Sequence, residues 1–534
     1  MSFSMLPADP VSHDDLVSRF RWDIPDRFNI GVACADGHAP DKPAIIDWSG
    51  DQPVTLTFGD LSEKSNRFAA ALAGLGVQRG DRVAILLPQC FETPIAHLAI
   101  YKLGAIAVPM AMQFGPDAIA YRLNLSGAAA IVLDQSGLAK LAASQEDFPA
   151  LKMRISIDGG ADAHEFDALV AGAAADFAPA DTGPDDPALM IFTSGTTGQP
   201  KGALHGHRVL LGHIPGVQMH HDLMPAPGDR LWTPADWAWA GGLLNVLLPG
   251  LAMGLPVVAQ RSARFDPQEA LDWAAEAGVR NAFIPPTALR MMRDAEPRVA
   301  LRSVASGGEQ LGSATFAWGR EKLGLTINEF YGQTECNLVL SSASVWGIAT
   351  PGVIGRPVPG HEVAIVDEDG AVLPDGAQGT IAIRAPDPVM FLGYWRNEAA
   401  TRDKFIGSWM VTGDQGIAGP EGVRFVGRDD DVISSAGYRI GPGEIESCLA
   451  GHPAVALAAV VGKPDPVRGE IVTAFVRLVP GSAPGDALKE DIQRHVRERL
   501  SAHEYPREIT FVDDIPLTST GKVIRRVFRE PPAA

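Results

Sequence analysis

The chain has 534 residues, a length that suggests several domains of about 150 residues each. Hydrophobic residues make up 46% and charged residues 20% of it, which excludes extended disorder, a collagen-like fibre, a coiled coil and a small disulfide scaffold. The net charge of −19 argues against a dedicated nucleic-acid-binding protein.

The cysteines are far apart and form no C-x-x-C pair, so no zinc or redox motif is visible in the sequence. Scattered thiols in a long chain favour a reducing compartment, and the first ten residues lack the basic and apolar regions of a signal peptide. These features predict a cytoplasmic location.

Residues up to about 330 alternate helical patterns with short apolar strands. A helix is predicted to begin at residues 57–60 and to end at Gly76. Strands are predicted at 83–87, 129–133, 188–192 and 281–284. This alternation predicts an α/β, largely parallel, doubly wound architecture.

One charge-free segment, residues 237–260, is long enough to cross a bilayer. It contains Asn245, Pro249 and Pro256, and charged residues flank it directly. We therefore interpret it as a buried helix followed by a strand.

The pattern changes after residue 345. Short strands at 362–366, 379–384 and 423–426 lie between turn-rich segments, which predicts a small, mainly antiparallel β unit over about 345–428. An acidic run at 429–431 is followed by a new α+β pattern. We therefore expect one domain over 1–429 and a second over 430–534.

The strongest local signal follows Phe192, where residues 193–202 read TSGTTGQPKG. Glycines and hydroxyl groups let backbone N–H groups wrap a phosphate, and the lysine adds a positive charge. The segment is not a Walker A loop, because Pro200 precedes Lys201 and Gly202 follows it. It predicts a different kind of phosphate-binding loop, the alternative being an ordinary polar loop.

Together with later motifs, this loop resembles the signature of the adenylate-forming superfamily, which comprises acyl-CoA synthetases, firefly luciferase and peptide-synthetase adenylation domains. The later motifs stand in the family's order: YGQTE at 331–335, TGD at 412–414, GRDDD at 427–431, GYRIGP at 437–442 and TGK at 520–522. The resemblance covers nearly the whole chain and is greatest for the medium-chain acyl-CoA synthetase branch.

The resemblance implies a large N-terminal domain of two doubly wound α/β subdomains plus a small β-barrel-like subdomain, followed by a smaller, mobile α+β domain. Members of the family join a carboxylic acid to ATP, releasing pyrophosphate, and then transfer the acyl group from acyl-AMP to a thiol. ATP and coenzyme A would be co-substrates, with Mg²⁺ as the cofactor.

The resemblance also implies site residues. Lys522 would be the catalytic cation that bridges the attacking carboxylate and the α-phosphate, assisted by Glu335 and Thr193. Glu335 would bind Mg²⁺, which prefers oxygen ligands, and Asp414 would accept hydrogen bonds from the ribose hydroxyls. The implied ATP and AMP site comprises Thr193, Ser194, Gly195, Thr196, Thr197, Gly198, Lys201, Gly308, Glu309, Gln310, Glu329, Tyr331, Gly332, Gln333, Thr334, Asp414, Arg428 and Lys522.

Asp430 resembles the family's hinge, about which the C-terminal domain would rotate between the two half-reactions. Segments 437–439 and 464–470 resemble coenzyme A segments of the medium-chain branch. The implied coenzyme A contacts are Gln113, Gly437, Tyr438, Arg439 and Arg468. Ala436 stands where relatives have serine, which removes a hydroxyl contact.

For the acid, Gly332 stands where acetyl-CoA synthetases place a tryptophan, which predicts an acyl pocket that is open to acids longer than acetate. Trp237 and Trp239 would be walls of this pocket or, alternatively, plain core residues. We therefore expect an AMP-forming acid:CoA ligase for a short- to medium-chain carboxylic acid.

Three alternatives remain: an aryl-acid:CoA ligase, an adenylating enzyme that loads a carrier protein, and a non-catalytic binder on the same scaffold. The presence of Lys522, Glu335 and Asp414 argues against the non-catalytic binder. The resemblance further allows a homodimer and a lysine acetyltransferase acting on Lys522.

Overall fold

The computed structural model describes residues 5–7, 9–193, 200–261, 265–429, 431–435, 438–465, 469–500, 505–518 and 522–529. Their strands, in chain order, are β1 (Pro43–Asp47), β2 (Val54–Thr57), β3 (Arg82–Leu86), β4 (Ile106–Pro109), β5 (Ala130–Leu133), β6 (Met153–Ser156), β7 (His164–Glu165), β8 (Pro187–Phe192), β9 (Gly202–Gly206), β10 (Leu231–Trp232), β11 (Val257–Ala259), β12 (Asn281–Phe283), β13 (Ser303–Gly307), β14 (Asn328–Tyr331), β15 (Leu340–Ser341), β16 (Arg356–Pro357), β17 (Val363–Val366), β18 (Gln378–Arg384), β19 (Gly393–Tyr394), β20 (Phe405–Ile406), β21 (Trp409–Gly419), β22 (Gly422–Arg428), β23 (Ile433–Ser435), β24 (Tyr438–Ile440), β25 (Val455–Asp465), β26 (Gly469–Leu478) and β27 (Glu508–Phe511).

The α-helices are α1 (His13–Arg19), α2 (Ile30–Ala35), α3 (Phe58–Gly74), α4 (Glu92–Leu103), α5 (Pro116–Ser126), α6 (Gln135–Ala143), α7 (Phe166–Gly172), α8 (Val209–His220), α9 (Ala240–Gly242), α10 (Leu248–Ala252), α11 (Pro267–Glu276), α12 (Pro286–Met292), α13 (Ser313–Trp318), α14 (Glu398–Arg402), α15 (Pro442–Leu449), α16 (Asp486–Arg499) and α17 (Arg526–Arg529). Two π-helical turns, Leu243–Leu247 and Gly319–Leu323, and a 3₁₀ turn, Ser344–Trp346, complete the helical structure of the described residues.

Two largely parallel sheets form the N-terminal part. One has the order β19-β9-β8-β4-β3-β5-β6-β7, and the other has the order β16-β15-β14-β13-β12-β10-β11-β1-β2. Strands β3 to β6 and β8 run parallel within the first sheet, as do β1 and β10 to β14 within the second. Ligands bind outside the carboxyl ends of strands in such sheets, so a site is expected where β8, β13 and β14 end.

An antiparallel sheet follows, with the order β17-β18-β21-β20 and with β22 paired to β21. The last sheet has the order β24-β23-β26-β25, with β27 parallel to β26. Apolar residues between 433 and 511, including residues of α15 and α16, form a separate hydrophobic core around this sheet. The doubly wound α/β prediction, the β unit and the α+β C-terminal part are thereby confirmed.

Local sequence explains individual elements. Thr57 caps α3: its hydroxyl accepts from the Asp60 N–H while the Asp60 carboxylate accepts from the Thr57 N–H. Gly76, with φ +93°, lies two residues after the last residue of this helix. The segment 237–260 folds as α9, a π-helical turn, α10 and then β11, as predicted. Among the described residues, no helix has the length and apolar character needed to span a membrane.

Candidate active site

The phosphate-binding loop predicted from the sequence begins at the carboxyl end of β8. The Thr193 N–H donates to the Lys201 carbonyl oxygen at 2.9 Å, which closes the base of the loop. The Lys201 ammonium lies 5.1 Å from the ring centroid of Tyr394. The loop residues Ser194, Gly195, Thr196, Thr197 and Gly198 lie outside the described residues.

Glu335 joins this cluster. Its carboxylate is buried and accepts a hydrogen bond from the Tyr394 hydroxyl, whose ring also contacts Lys201. Burial and the neighbouring Glu335 charge raise the pKa of the Tyr394 hydroxyl, which keeps it protonated and a donor. Lys201 and Glu335 therefore lie close together through Tyr394, and Thr193 joins Lys201 at the base of the loop.

Asp414 is the centre of a second group. Tyr331 Oη and Gln333 Nε2 each donate to Asp414 Oδ2 at 2.6 Å. Lys404 Nζ in turn donates to Gln333 Oε1 at 3.4 Å. Burial raises the pKa of Asp414, while Arg428 and these hydrogen bonds oppose the shift. Arg428 on β22 is the register partner of Asp414 on β21, so the two residues lie opposite each other in the antiparallel sheet.

The segment after β13 borders the same region. Gly308 has φ +96°, and a Cβ built on it would meet the Trp239 ring at 3.1 Å, so glycine allows the indole to lie against this backbone. The Glu309 carboxylate binds Arg290 Nη2 at 2.5 Å and Thr287 Oγ1 at 3.0 Å. Gln310 Nε2 donates to the Phe425 carbonyl oxygen at 3.4 Å.

Glu329 is buried on β14, and its Oε1 accepts from the Leu311 N–H at 3.1 Å. Desolvation raises the pKa of this carboxyl to about 7. Through the Leu311 N–H, Glu329 therefore anchors the chain directly after the Gly308–Gln310 segment. Thr334 is half-buried beside Glu335.

Lys522 lies on a short hairpin of the C-terminal part. Thr518 N donates to the Lys522 carbonyl oxygen at 2.7 Å, and Leu517 and Val523 form an antiparallel bridge. Lys522 is an exposed residue, and desolvation of its ammonium by the surrounding protein lowers its pKa. The carboxylates of Glu309 and Asp414 oppose the shift, so both act electrostatically on Lys522.

A neighbouring backbone segment approaches Gly332 closely. A Cβ built on Gly332 would lie 2.1 Å from the Leu338 backbone nitrogen and 2.8 Å from the Asn337 carbonyl carbon. The close approach of two backbone segments therefore requires glycine here, and a tryptophan would need the backbone to move. The backbone that approaches Gly332 is that of residues 337–338, where Leu338 has the left-handed φ of +65°.

Of the two alternatives predicted for Trp237, the structure favours the plain core residue. Trp237 is fully buried and packs in the main hydrophobic core, so it presents no surface to a ligand. Trp239 is half-buried, and its ring lies against Gly308 and 5.6 Å from the ring centroid of Phe283. Of the two tryptophans, only Trp239 borders the site.

The predicted coenzyme A residues do not form a described cluster. Gln113 is exposed on the turn between β4 and α5. Tyr438 and Arg439 lie on β24, while Gly437, Arg468 and the predicted hinge Asp430 lie outside the described residues.

Four residues that hydrogen-bond to the predicted site residues were not predicted from the sequence: Tyr394, Lys404, Arg290 and Thr287. Each contacts a motif residue that is distant in sequence, and none lies in a periodic or glycine-rich segment that would have singled it out. Among the described residues, no group of three or more histidine, cysteine or carboxylate side chains could hold a metal ion.

Comparison with known proteins identifies the family. The model of the AMP-binding enzyme family matches residues 33–395, and that of the AMP-binding enzyme C-terminal domain matches residues 444–522. Rat mitochondrial acyl-coenzyme A synthetase ACSM2 is 34% identical, with 95% of this chain and 92% of that protein covered.

Two solved structures are similar over almost their whole length. The anthranilate CoA ligase AuaEII, solved in complex with anthranoyl-AMP, is 28% identical, with a TM-score of 0.86 and coverage of 95% of this chain and 97% of that chain. A benzoate CoA ligase from Burkholderia xenovorans is 30% identical, with a TM-score of 0.82 and coverage of 94% and 100%. The chain therefore belongs to the AMP-binding enzyme family, in which its resemblance is to acyl-CoA and aryl-CoA ligases.

Proposed function

We propose that the protein is an AMP-forming acid:CoA ligase. A carboxylate oxygen of the acid attacks the α-phosphorus of ATP, the bond to the β-phosphate breaks, and pyrophosphate leaves. The coenzyme A thiolate then attacks the acyl carbonyl carbon, and AMP leaves with the oxygen that came from the acid. Both steps need neutralisation of negative charge, because the reacting groups are anions.

One observation carries this proposal: the C-terminal part packs on the Gly308–Gln310 segment, where a Cβ built on Gly443 would meet Gln310 Oε1 at 2.5 Å. The charges of Glu309 and Asp414 act on Lys522 in the same region. Asp414 would bind the ribose hydroxyls, held by Tyr331 and Gln333. Lys522 would bridge the carboxylate and the α-phosphate. The charges of Glu309 and Asp414 favour its ammonium form and oppose the desolvation that lowers its pKa.

Mg²⁺ fits the residues that are present. This ion is usually held by one or two carboxylates together with substrate phosphates, and Glu335 and the Thr193 hydroxyl supply oxygen ligands of that kind beside Lys201. When bound, Mg²⁺ would neutralise charge on the ATP phosphates. The residues of this chain would orient the triphosphate, with Lys201 and the loop that begins at Thr193 holding the β- and γ-phosphates.

The acid would enter beside Trp239 and Tyr331, and we propose a short- to medium-chain carboxylic acid. The structural similarity to a benzoate and an anthranilate CoA ligase favours aryl acids as the second candidate class. Loading of a separate carrier protein is the remaining alternative for the thiol acceptor.

We further propose a division into domains at residue 430, with Asp430 as the hinge, and coenzyme A contacts through Gln113, Gly437, Tyr438, Arg439 and Arg468. A cytoplasmic location, a homodimer and acetylation of Lys522 are separate proposals from the sequence. Each has its own test: fractionation, solution mass and mass spectrometry of the purified protein.

Pyrophosphate release with a panel of aliphatic and aryl acids tests the function. With ATP and Mg²⁺ but without coenzyme A, we expect about one pyrophosphate per enzyme, because acyl-AMP stays bound. Addition of coenzyme A should give continuous turnover. Turnover that coenzyme A does not increase would favour a carrier protein as the acceptor, and no release with any acid would contradict the proposal.

A further inference from the structure

An ion-pair cluster lies at the base of the Lys522 hairpin. We define it as the base cluster, made of Asp431, Glu446, Arg525 and Arg529. Arg525 Nε and Nη2 donate to the two Glu446 carboxylate oxygens at 2.8 and 2.5 Å, and its Nη1 donates to Asp431 Oδ2 at 2.8 Å. Arg529 donates to the other Asp431 oxygen. One guanidinium thus uses three nitrogens to hold two carboxylates, a geometry that lysine cannot reproduce.

The cluster is shielded from solvent. The side chains of Asp431, Glu446 and Arg525 are 11%, 14% and 20% exposed. The two carboxylates raise the pKa of the Arg525 guanidinium further above its usual value. Such a paired and buried arrangement has a defined geometry, whereas exposed ion pairs at a surface constrain little.

The position of the cluster links three elements. Arg525 follows Lys522 by three residues, and the hairpin closes just before it through the Ile524 N–H and the Pro516 carbonyl oxygen at 3.0 Å. Glu446 lies on α15, where its Oε1 also accepts from the Val460 N–H at 2.9 Å. Asp431 follows directly on the predicted hinge residue.

Helix α15 in turn contacts the N-terminal part beside Glu309. A Cβ built on Gly443 would meet Gln310 Oε1 at 2.5 Å, and one built on Gly312 would meet the Ser447 side chain at 3.4 Å. Arg525 therefore ties the Lys522 hairpin to the helix that packs on the segment next to the nucleotide site.

We propose that the base cluster positions Lys522 for adenylation, with Arg525 as the principal positioning residue. This role rests on the proposed function of Lys522. The Arg525 guanidinium is engaged by Glu446 and Asp431, so its proposed role is to fix the direction in which the hairpin projects into the site. A displacement of about 1 Å of a catalytic group can cost about a hundredfold in rate. Loss of the contacts in the base cluster should therefore lower the rate of acyl-AMP formation.

The experiment compares full-length variants in the two half-reactions. Arg525→Met and Arg525→Lys should each slow acyl-AMP formation by about tenfold or more, while thioester formation from supplied acyl-AMP and coenzyme A stays within about twofold of wild type. The lysine variant keeps the charge and loses the three-point contact, so it separates geometry from charge. Arg526→Met, which removes the exposed neighbouring arginine, is the matched control and should leave both steps unchanged.

A second measurement does not depend on activity. Competitive amine labelling across pH, read by mass spectrometry, gives the pKa of Lys522 in the folded protein. Release of the hairpin should move this pKa upward towards that of free lysine in both Arg525 variants and leave it unchanged in Arg526→Met.

The outcomes separate the proposals. If both half-reactions fall equally, or if Arg525→Lys equals wild type in both measurements, the positioning role is overturned. A wild-type chain that forms no acyl-AMP yet shows the labelling shift in both Arg525 variants would contradict the proposed function while supporting the positioning role.

Discussion

At the scale of single residues, Asp414 shows what sequence reasoning could and could not find. The motif TGD predicted an acceptor carboxylate at this position. Its donors Tyr331 and Gln333 are 83 and 81 residues away in the chain, and their contacts depend on how β14 and β21 meet. Identity and position in the chain were thus predictable, whereas the geometry needed the fold.

Lys522→Ala tests the residue proposed as catalytic. We expect acyl-AMP formation to fall by about a thousandfold or more, because Lys522 is the group proposed to bridge the two anions as charge develops. Thioester formation from supplied acyl-AMP should persist. The measurement is single-turnover pyrophosphate release beside thioester formation, with Lys489→Ala on α16 as the control. Undiminished pyrophosphate release from Lys522→Ala would refute the assignment.

Glu329→Gln tests the buried carboxyl that holds the Leu311 N–H, directly after the Gly308–Gln310 segment. Because the pKa of Glu329 is raised from 4.5 to about 7, the folded protein binds this proton more tightly than the unfolded chain does. Its contribution to stability is present below pH 4.5 and is lost as the pH rises through about 7. The glutamine variant keeps a neutral acceptor for the Leu311 N–H and has no such loss.

We therefore expect the free energy of unfolding of Glu329→Gln, relative to wild type, to increase by about 3 kcal/mol between pH 4.5 and pH 8. Denaturant unfolding at a series of pH values gives this difference directly. A difference that stays constant over that range would show that Glu329 ionises normally in the folded protein.

At the scale of elements, prediction succeeded where the signal is local. Thr57 and Gly76 predicted α3, and apolar runs predicted β3, β5, β8 and β12 to within one or two residues at each end. It failed where packing decides. The π-helical turn at Leu243–Leu247 has no sequence signal. The need for glycine at position 332 comes from the close approach of the backbone of residues 337–338, which no side-chain pattern around position 332 indicates.

Helix α15 offers a test of the contact between the two parts of the chain. Gly441, at its N-terminus, has an ordinary φ of −78°, yet a Cβ built on it would lie 1.6 Å from the Val426 carbonyl oxygen on β22. A side chain there conflicts with the neighbouring backbone and not with the helix, so it should disfavour this arrangement of α15 against β22.

We predict that Gly441→Ala slows adenylation by about tenfold or more while the thioester half-reaction is less affected. The matched control is Gly485→Ala, because a Cβ on Gly485 meets nothing within 4 Å. Rapid-quench measurement of both half-reactions decides. Full adenylation activity in Gly441→Ala would mean that adenylation does not require the contact between Gly441 and Val426.

At the scale of the whole molecule, the sites follow from how the sheets are arranged. Thr193 and Gly308 directly follow β8 and β13, Tyr331 ends β14, and the antiparallel unit adds Asp414 through β21. Ordered motifs predicted this set because each follows a strand or turn that the chain must place at one edge. The choice of acid could not be predicted, because the pocket depends on backbone positions that no motif encodes.

The proposed arrangement also explains how a cation of the C-terminal part would act at a site in the N-terminal part. Lys522 stands on a hairpin outside the main sheets, so it can approach Glu309 and Asp414 without being part of the N-terminal core. A group held in this way can be withdrawn between two half-reactions, which a residue within a packed sheet cannot be.

The most direct test follows an oxygen atom. An acid labelled with ¹⁸O in its carboxylate is turned over with ATP, Mg²⁺ and coenzyme A, and the products are examined by mass spectrometry. Because the carboxylate attacks the α-phosphorus, we predict one labelled oxygen in AMP and none in pyrophosphate. Label in inorganic phosphate with ADP as the nucleotide product, or AMP without label, would contradict an acyl-adenylate intermediate.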